Sequence, residues 1–246
     1  MNAMNAEPKN HSMEAYSLLV RRNSFGAIKS GYPTAIDGLL KAVCNATGIE
    51  TGIIERNKKG GYNAINIDIY GYDIDRNLIA IQIRQTWKIK ETYFTNQRKY
   101  YALAGVDDGQ IFCHAIPTSF RSIPDLDAKS PEEVVRWAEG KIFRVPPARV
   151  ATIIRQGDVA LIPVRSIPRV ATVVQPDADG LSRLIVRESH NVRVDGILYS
   201  DQAGRRWADG LVQIDHEPGQ HRSIDADGRF EIVAGEKLNV RYNTID

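Results

Sequence analysis

Two neighbouring stretches of strict alternation, YNAINIDIY at 62–70 and LIAIQIRQTWKIK at 78–90, constrain this chain more than anything else in it. A period of two sends successive side chains to opposite faces of a strand. In the first stretch Ile65, Ile67 and Ile69 fall on one side; Ala64, Asn66, Asp68 and Tyr70 fall on the other. In the second, Ile79, Ile81, Ile83, Trp87 and Ile89 oppose Gln82, Arg84, Thr86, Lys88 and Lys90. The intervening GYDIDRN (71–77) is turn-forming, so the pair predicts an antiparallel hairpin with one apolar and one polar face.

The flanking sequence predicts a mixture of helix and strand. Met13 to Val20 reads as a short helix, and Asn23 to Tyr32, with Gly26 and Gly31, as a loop. Thr34 can cap a helix reaching about Ala46, with Ile36, Leu39, Leu40 and Val43 buried and Gly48 and Gly52 ending it. Thr92 to Ala104 reads as a helix, or in part as another strand. Asp108-Gly109 then turns the chain into the short strand QIFCHAIP (110–117). Ser130-Pro131-Glu132-Glu133 opens a helix, with proline in its first turn and acids at the positive end of the dipole. It should turn Val134, Val135 and Trp137 inward and stop near Gly140.

From residue 145 the rhythm changes. VPPARV supplies a Pro-Pro linker, and the segments IIRQGDVALIPV, RVATVVQ, LSRLIVRES, GILYSD, GLVQIDHE, GRFEIVAG and KLNVRY read as short strands. DADG at 177–180, QAGR at 202–205 and DADG at 225–228 read as turns between them. Neither DADG continues into a calcium-binding loop with a closing glutamate. The expected architecture is therefore an α+β N-terminal domain with an antiparallel hairpin core, residues 13–144, after a disordered tail at 1–12. A linker at 145–149 leads to an all-β small barrel or sandwich, residues 150–246.

Charge is informative only once it is located. The net charge of +2 divides into 19 basic against 16 acidic residues over 1–144 and 13 against 14 over 145–246. Neither half is a basic arm, so any affinity for a polyanion has to come from local clustering. No run of eighteen apolar residues predicts a membrane-spanning helix, and the polar start MNAMNAEPKNHS does not read as a secretory signal. Cys44 and Cys113 sit far apart in apolar surroundings, which suits free, buried thiols and a cytoplasmic location.

Clustering does occur between Gln82 and Tyr101. Arg84, Lys88, Lys90, Arg98 and Lys99 oppose a single acid, Glu91, and Trp87, Tyr93, Phe94, Tyr100 and Tyr101 are interleaved with them. Every second residue of a strand is about 7 Å apart, close to the phosphate spacing of an extended single strand. The expected nucleic-acid-binding set is Arg84, Trp87, Lys88, Lys90, Arg98, Lys99 and Tyr100, with DNA or RNA, another polyanion, or a protein as partner. Elsewhere the chain has no glycine-rich phosphate loop, nucleophile elbow, CxxC pair or HExxH, and NKKGG (57–61) reads as a mobile basic loop.

Three resemblances follow from these residues. Asp68 on one strand, with Gln82 and Arg84 on the next, is similar to the core of restriction-endonuclease-like nucleases of the PD-(D/E)xK type. That resemblance implies a divalent metal held by Asp68 and Gln82. Arg84, however, stands where the family has lysine, and a guanidinium cannot give up its proton to act as a base. It implies an inactive relative that grips nucleic acid sooner than a working nuclease. HEPGQH (216–221) resembles the Pro-Gly-x-His element of cupin barrels, which implies a metal on His190, His216 and His221 with Glu188 or Glu217. The first cupin element is missing, since ESHNVRVDG supplies one histidine only. Finally, the succession RQTW, TNQRKYYALAGVDDGQIFCHAIP, RQGDVALIPV and HEPGQH to GRFEIVAG resembles uncharacterised bacterial and phage proteins that end in a small β-barrel. It implies an architecture, and leaves a structural or assembly role open. No cofactor is expected unless one of the two metal readings holds.

Overall fold

The computed structural model describes residues 20–56, 60–88, 95–187, 190–216 and 223–240. The expected Met13–Val20 helix lies outside these apart from Val20. A two-stranded ribbon, β1 (Arg21–Arg22) and β2 (Ile28–Ser30), occupies part of the segment expected as loop. Helix α1 (Thr34–Thr47) follows, with Pro33 at its cap position and Thr34 already inside it. Gly48, at a φ of 69°, ends α1 by returning its N–H to the Cys44 carbonyl.

Five strands then run as an antiparallel meander: β3 (Gly52–Arg56), β4 (Tyr62–Asp73), β5 (Leu78–Lys88), β6 (Asn96–Asp107) and β7 (Gln110–Ala115). The expected hairpin is β4–β5, with Asp68 opposite Gln82 and Asn66 opposite Arg84. Its Ile65, Ile69, Ile79, Ile81 and Ile83 are buried, packed with Ile36 and Val43 of α1. The other face is covered over half its length by helix α2 (Pro131–Ile142), which Ser130 and Glu133 start with a capping box.

A bulge between Ile69 and Gly71 reverses the alternation of β4, so Tyr70 turns toward α2 and Tyr72 toward α1. Gly71 is required there: a Cβ would lie 2.5 Å from the Pro131 carbonyl oxygen and 2.7 Å from Val134 Cβ. The hairpin turn is fastened to α2 through Arg76, which bonds Asp73 at 2.7 Å and the buried Glu139 at 2.8 Å.

The second half forms one seven-stranded antiparallel sheet. Its strands are β8 (Ile154–Gln156), β9 (Val159–Pro163), β10 (Thr172–Val173), β11 (Ser182–Val186), β12 (His190–Ser200), β13 (Arg206–His216) and β14 (Ile224–Ala234). They lie in the order β10-β12-β13-β14-β9-β8, with β11 also on β12. Gly196, Gly210 and Gly228 stand opposite one another across β12, β13 and β14, all at φ of 135–144°. A Cβ on Gly210 would come 2.4 Å from the Asp195 carbonyl oxygen, so this row lets three strands bend together.

The expected fold class is corrected in two respects. The chain is mostly β, with 49% of the described residues in strands and 19% in helices, and the front half is not an α+β domain balanced between the two. The back half is a half-barrel: its edge strands β8 and β10 do not meet, so it closes into neither a barrel nor a sandwich. Part of the difference lies at 92–104, where 96–104 belongs to β6 and is not helical. Because β6 is covered on both faces along Ala102, Leu103 and Ala104, its sequence lacks the alternation that marks a half-exposed strand. The second DADG lies within β14, and Lys237 in KLNVRY makes one isolated bridge to His114.

The two sheets share interior. Ala160 and Ile162 of β9 are buried with Tyr70, Leu103, Val134 and Trp137. The segment after β14 runs along β7, where Glu236 accepts from Ala115 N–H at 2.8 Å and Leu238 N–H donates to the Cys113 carbonyl at 2.9 Å.

Candidate nucleic-acid interface

Where α2 stops, its face of the first sheet becomes polar. The register sets Asp68, Gln82 and Tyr101 side by side, then Asn66, Arg84 and Lys99, then Ala64, Thr86 and Gln97. A concave pocket of about 360 Å³ opens over these rows, lined by Asn23, Phe25, Lys29, Asp68, Tyr70, Gln82, Arg84, Gln97, Lys99 and Arg121. The three residues of the nuclease resemblance therefore converge. Gln82 donates to Asp68 Oδ2 at 3.1 Å, and Arg84 Nη2 lies 3.6 Å from the same oxygen.

The far wall of the pocket comes from outside the sheet. Asn23 Oδ1 accepts from the N–H groups of Phe25 at 2.9 Å and Ala27 at 3.0 Å, folding the β1–β2 connection into a tight turn. Arg22 ties that turn to the sheet, donating to the carbonyls of Gly26 and Tyr70 at 2.7 Å each. Lys29 and Phe25 are thereby held at the rim, with the Arg121 guanidinium 4.9 Å from the Phe25 ring centre. Burial first, and then the neighbouring Asp68 charge, raises the Tyr70 pKa, so its hydroxyl stays protonated.

The pocket gathers four cations, Lys29, Arg84, Lys99 and Arg121, around one carboxylate. That carboxylate is already engaged by an amide and a guanidinium through one oxygen. Arg84 is only loosely held by it, and its Nε is buried without a hydrogen-bond partner. The arrangement suits a multivalent anion better than a divalent cation.

The remaining sequence candidates separate. Lys88 continues the Arg84 row four residues further along β5, beyond Thr86, and Lys90 lies outside the described residues. Trp87 and Arg98 alternate onto the opposite face, as does Tyr100, which packs beside the isoleucines that meet α1. Because 96–104 is strand, Lys99 goes to the pocket while Arg98 and Tyr100 go to the other face. Sequence reading missed Asn23, Phe25, Lys29 and Arg121, because no local period links them to Arg84.

Of the expected metal residues, His190 and His216 lie elsewhere, in a cavity of about 340 Å³ at the seam of the two sheets. His190 Nδ1 is 3.2 Å from Asp158 Oδ1, and the His190 and His216 rings meet edge to face with centres 4.6 Å apart. His221, Glu188 and Glu217 lie outside the described residues. Among those described, no three histidine, cysteine or acidic side chains are placed to hold a metal ion. His114, missed in the sequence, lines the same cavity. Burial pushes its pKa down to about 4, against a weaker upward pull from Asp158 and the Gly157 peptide. Cys113 is likewise raised by burial to about 12, as befits an unreactive thiol.

No helix among the described residues is long and apolar enough to cross a membrane. The chain matches no protein-family model, no curated protein and no solved structure.

Proposed function

We propose that this chain is a non-enzymatic nucleic-acid-binding or accessory protein of the cytoplasm. It binds through the basic pocket on the first sheet and the Arg84–Lys88 row that leads into it. One observation carries the reading: Lys29, Arg84, Lys99 and Arg121, drawn from four separate elements, surround a hollow whose described lining residues include a single carboxylate. Neutralising phosphates with such side chains supplies most sequence-independent affinity for nucleic acid. The free, part-buried thiols of Cys44 and Cys113 are in keeping with a reducing compartment.

The test is fluorescence anisotropy with a labelled single-stranded oligonucleotide at about 50 mM salt, where phosphate contacts are least screened. Wild type should bind, and R84Q and K99Q should each weaken binding by about tenfold, the equivalent of roughly one charge-assisted contact. Absence of binding, or binding unaffected by either change, would refute the proposal.

The convergence of Asp68, Gln82 and Arg84 also favours a second reading, an inactive relative of the nuclease core. Asp68 and Gln82 are the residues that would hold a divalent metal there. Arg84 cannot serve as the base, so the expectation is intact DNA and RNA after incubation with magnesium or manganese. Cleavage that disappears in D68N would make the protein an active nuclease instead.

A further inference from the structure

We propose that the pocket receives the terminal phosphate monoester of a single strand, an inference that rests on the nucleic-acid reading above. The row of cations along β5 has a direction. From Lys88 to Arg84 its side chains are part-exposed, but at Gln82 it meets the fully buried Tyr70, stacked on Phe120 at 4.6 Å, and beyond that Ala80 and Leu103 lie beneath α2. A strand following this row, with phosphates spaced roughly as alternate residues are, has no onward path across the sheet. It ends in the hollow.

The charge of the hollow fits an end better than a link. Asp68 is matched by Arg84 at 3.6 Å, which leaves Lys29, Lys99 and Arg121 without a countercharge among the described lining residues. An internal phosphodiester brings one negative charge, whereas a terminal monoester brings about −1.5 to −2 at neutral pH and three acceptor oxygens. Phe25 adds a seat for the last base. Arg121 lies over its ring, yet the side chain remains 55% exposed at the rim. A base adjoining a phosphate held by Lys29 and Arg121 can stack against it.

The experiment compares one sequence of about a dozen nucleotides, within the range of a single-strand binding site, in four forms: 5′-phosphorylated, 3′-phosphorylated, hydroxyl at both ends, and circular. At least one phosphate-ended form should bind about tenfold tighter than the hydroxyl-ended and circular forms. In K29Q and R121Q that ratio should fall toward one. Inorganic phosphate and adenosine monophosphate serve as competitors, and each should displace the phosphate-ended strand only at far higher concentration.

Equal affinity for all four forms, or a ratio unchanged in both variants, would overturn terminal recognition while leaving nucleic-acid binding in place. Adenosine monophosphate binding as tightly as the phosphorylated strand would overturn it in favour of a mononucleotide pocket. Failure of every strand to bind would remove both readings together.

Discussion

Arg84 answers to two partners at once. It faces Asp68 at 3.6 Å, too far for a tight bidentate pair, while Lys99 stands beside it on β6 and adds a second positive charge. Among the described lining residues Asp68 is therefore the one group that opposes an incoming anion. Replacing it with asparagine keeps a partner for Gln82 and removes the charge. D68N should raise affinity for a single-stranded oligonucleotide by roughly two- to fivefold, corresponding to about 0.5–1 kcal/mol for one partly exposed charge. A metal-dependent nuclease would respond in the opposite sense, so the direction of this change separates the two chemistries.

His114 supplies a second prediction at this scale. Its pKa falls from 6.5 to about 4 because it is buried, with Arg155 opposing its charge and Asp158 favouring it. Between those values the unfolded chain binds the proton and the folded protein does not. Stability is thus fully present above pH 6.5 and is lost as pH falls toward 4, by on the order of 3 kcal/mol. Urea unfolding of wild type and H114F at pH 7, 5.5 and 4.5 should show a steeper acid decline in wild type. Parallel curves would mean that His114 is not the titrating group.

At the scale of elements, α2 decides where the pocket begins. Its close seat on the sheet depends on Gly71, where any Cβ would strike Pro131 and Val134. G71A should cost about 1–3 kcal/mol through overpacking, a melting temperature lower by roughly 5 °C in a chain of this size. An unchanged melting temperature would contradict the packing described here.

This is also the scale at which the sequence was most and least legible. The isoleucines of β4 and β5 alternate because one side of the hairpin meets α1, and the Ser130–Glu133 box announces α2 directly. By contrast, β6 is hidden: with Tyr100 and Tyr101 packed on opposite faces, no period distinguishes it from a helix. The DADG at 225–228 misleads for a different reason, since Gly228 serves the curvature of three adjoining strands. In the pocket, Asp68, Gln82, Arg84 and Lys99 were all nameable in advance. Lys29 and Arg121 were not, because only tertiary contacts such as Arg22 to Tyr70 bring their segments to the sheet.

Over the whole molecule, the half-barrel buttresses the sheet that carries the pocket. Glu139 on α2 faces both Arg76 at the hairpin turn and, at 3.9 Å, Arg155 at the start of β8; Arg155 in turn lies 3.9 Å from Asp107. The Gly157 N–H donates to Asp107 at 2.8 Å, closing a polar seam between the halves. Glu139→Ala leaves the largely buried Arg155 with Asp107 as its nearest remaining carboxylate. It should destabilise the fold by about 3 kcal/mol, the usual cost of breaking a buried ion network. Chemical unfolding followed by tryptophan fluorescence and by circular dichroism should show one coincident transition, shifted as a unit in this variant. A variant that unfolds at the wild-type denaturant concentration would show that the seam adds nothing.

Whether the pocket is a phosphate site is measured most directly by the salt dependence of binding. Three to four phosphate contacts on a single strand predict that log K falls against log salt with a slope of roughly −2 to −3. K99Q should make that slope shallower by about 0.7, the share of one contact. A slope near zero, or one that K99Q leaves untouched, would contradict a phosphate site.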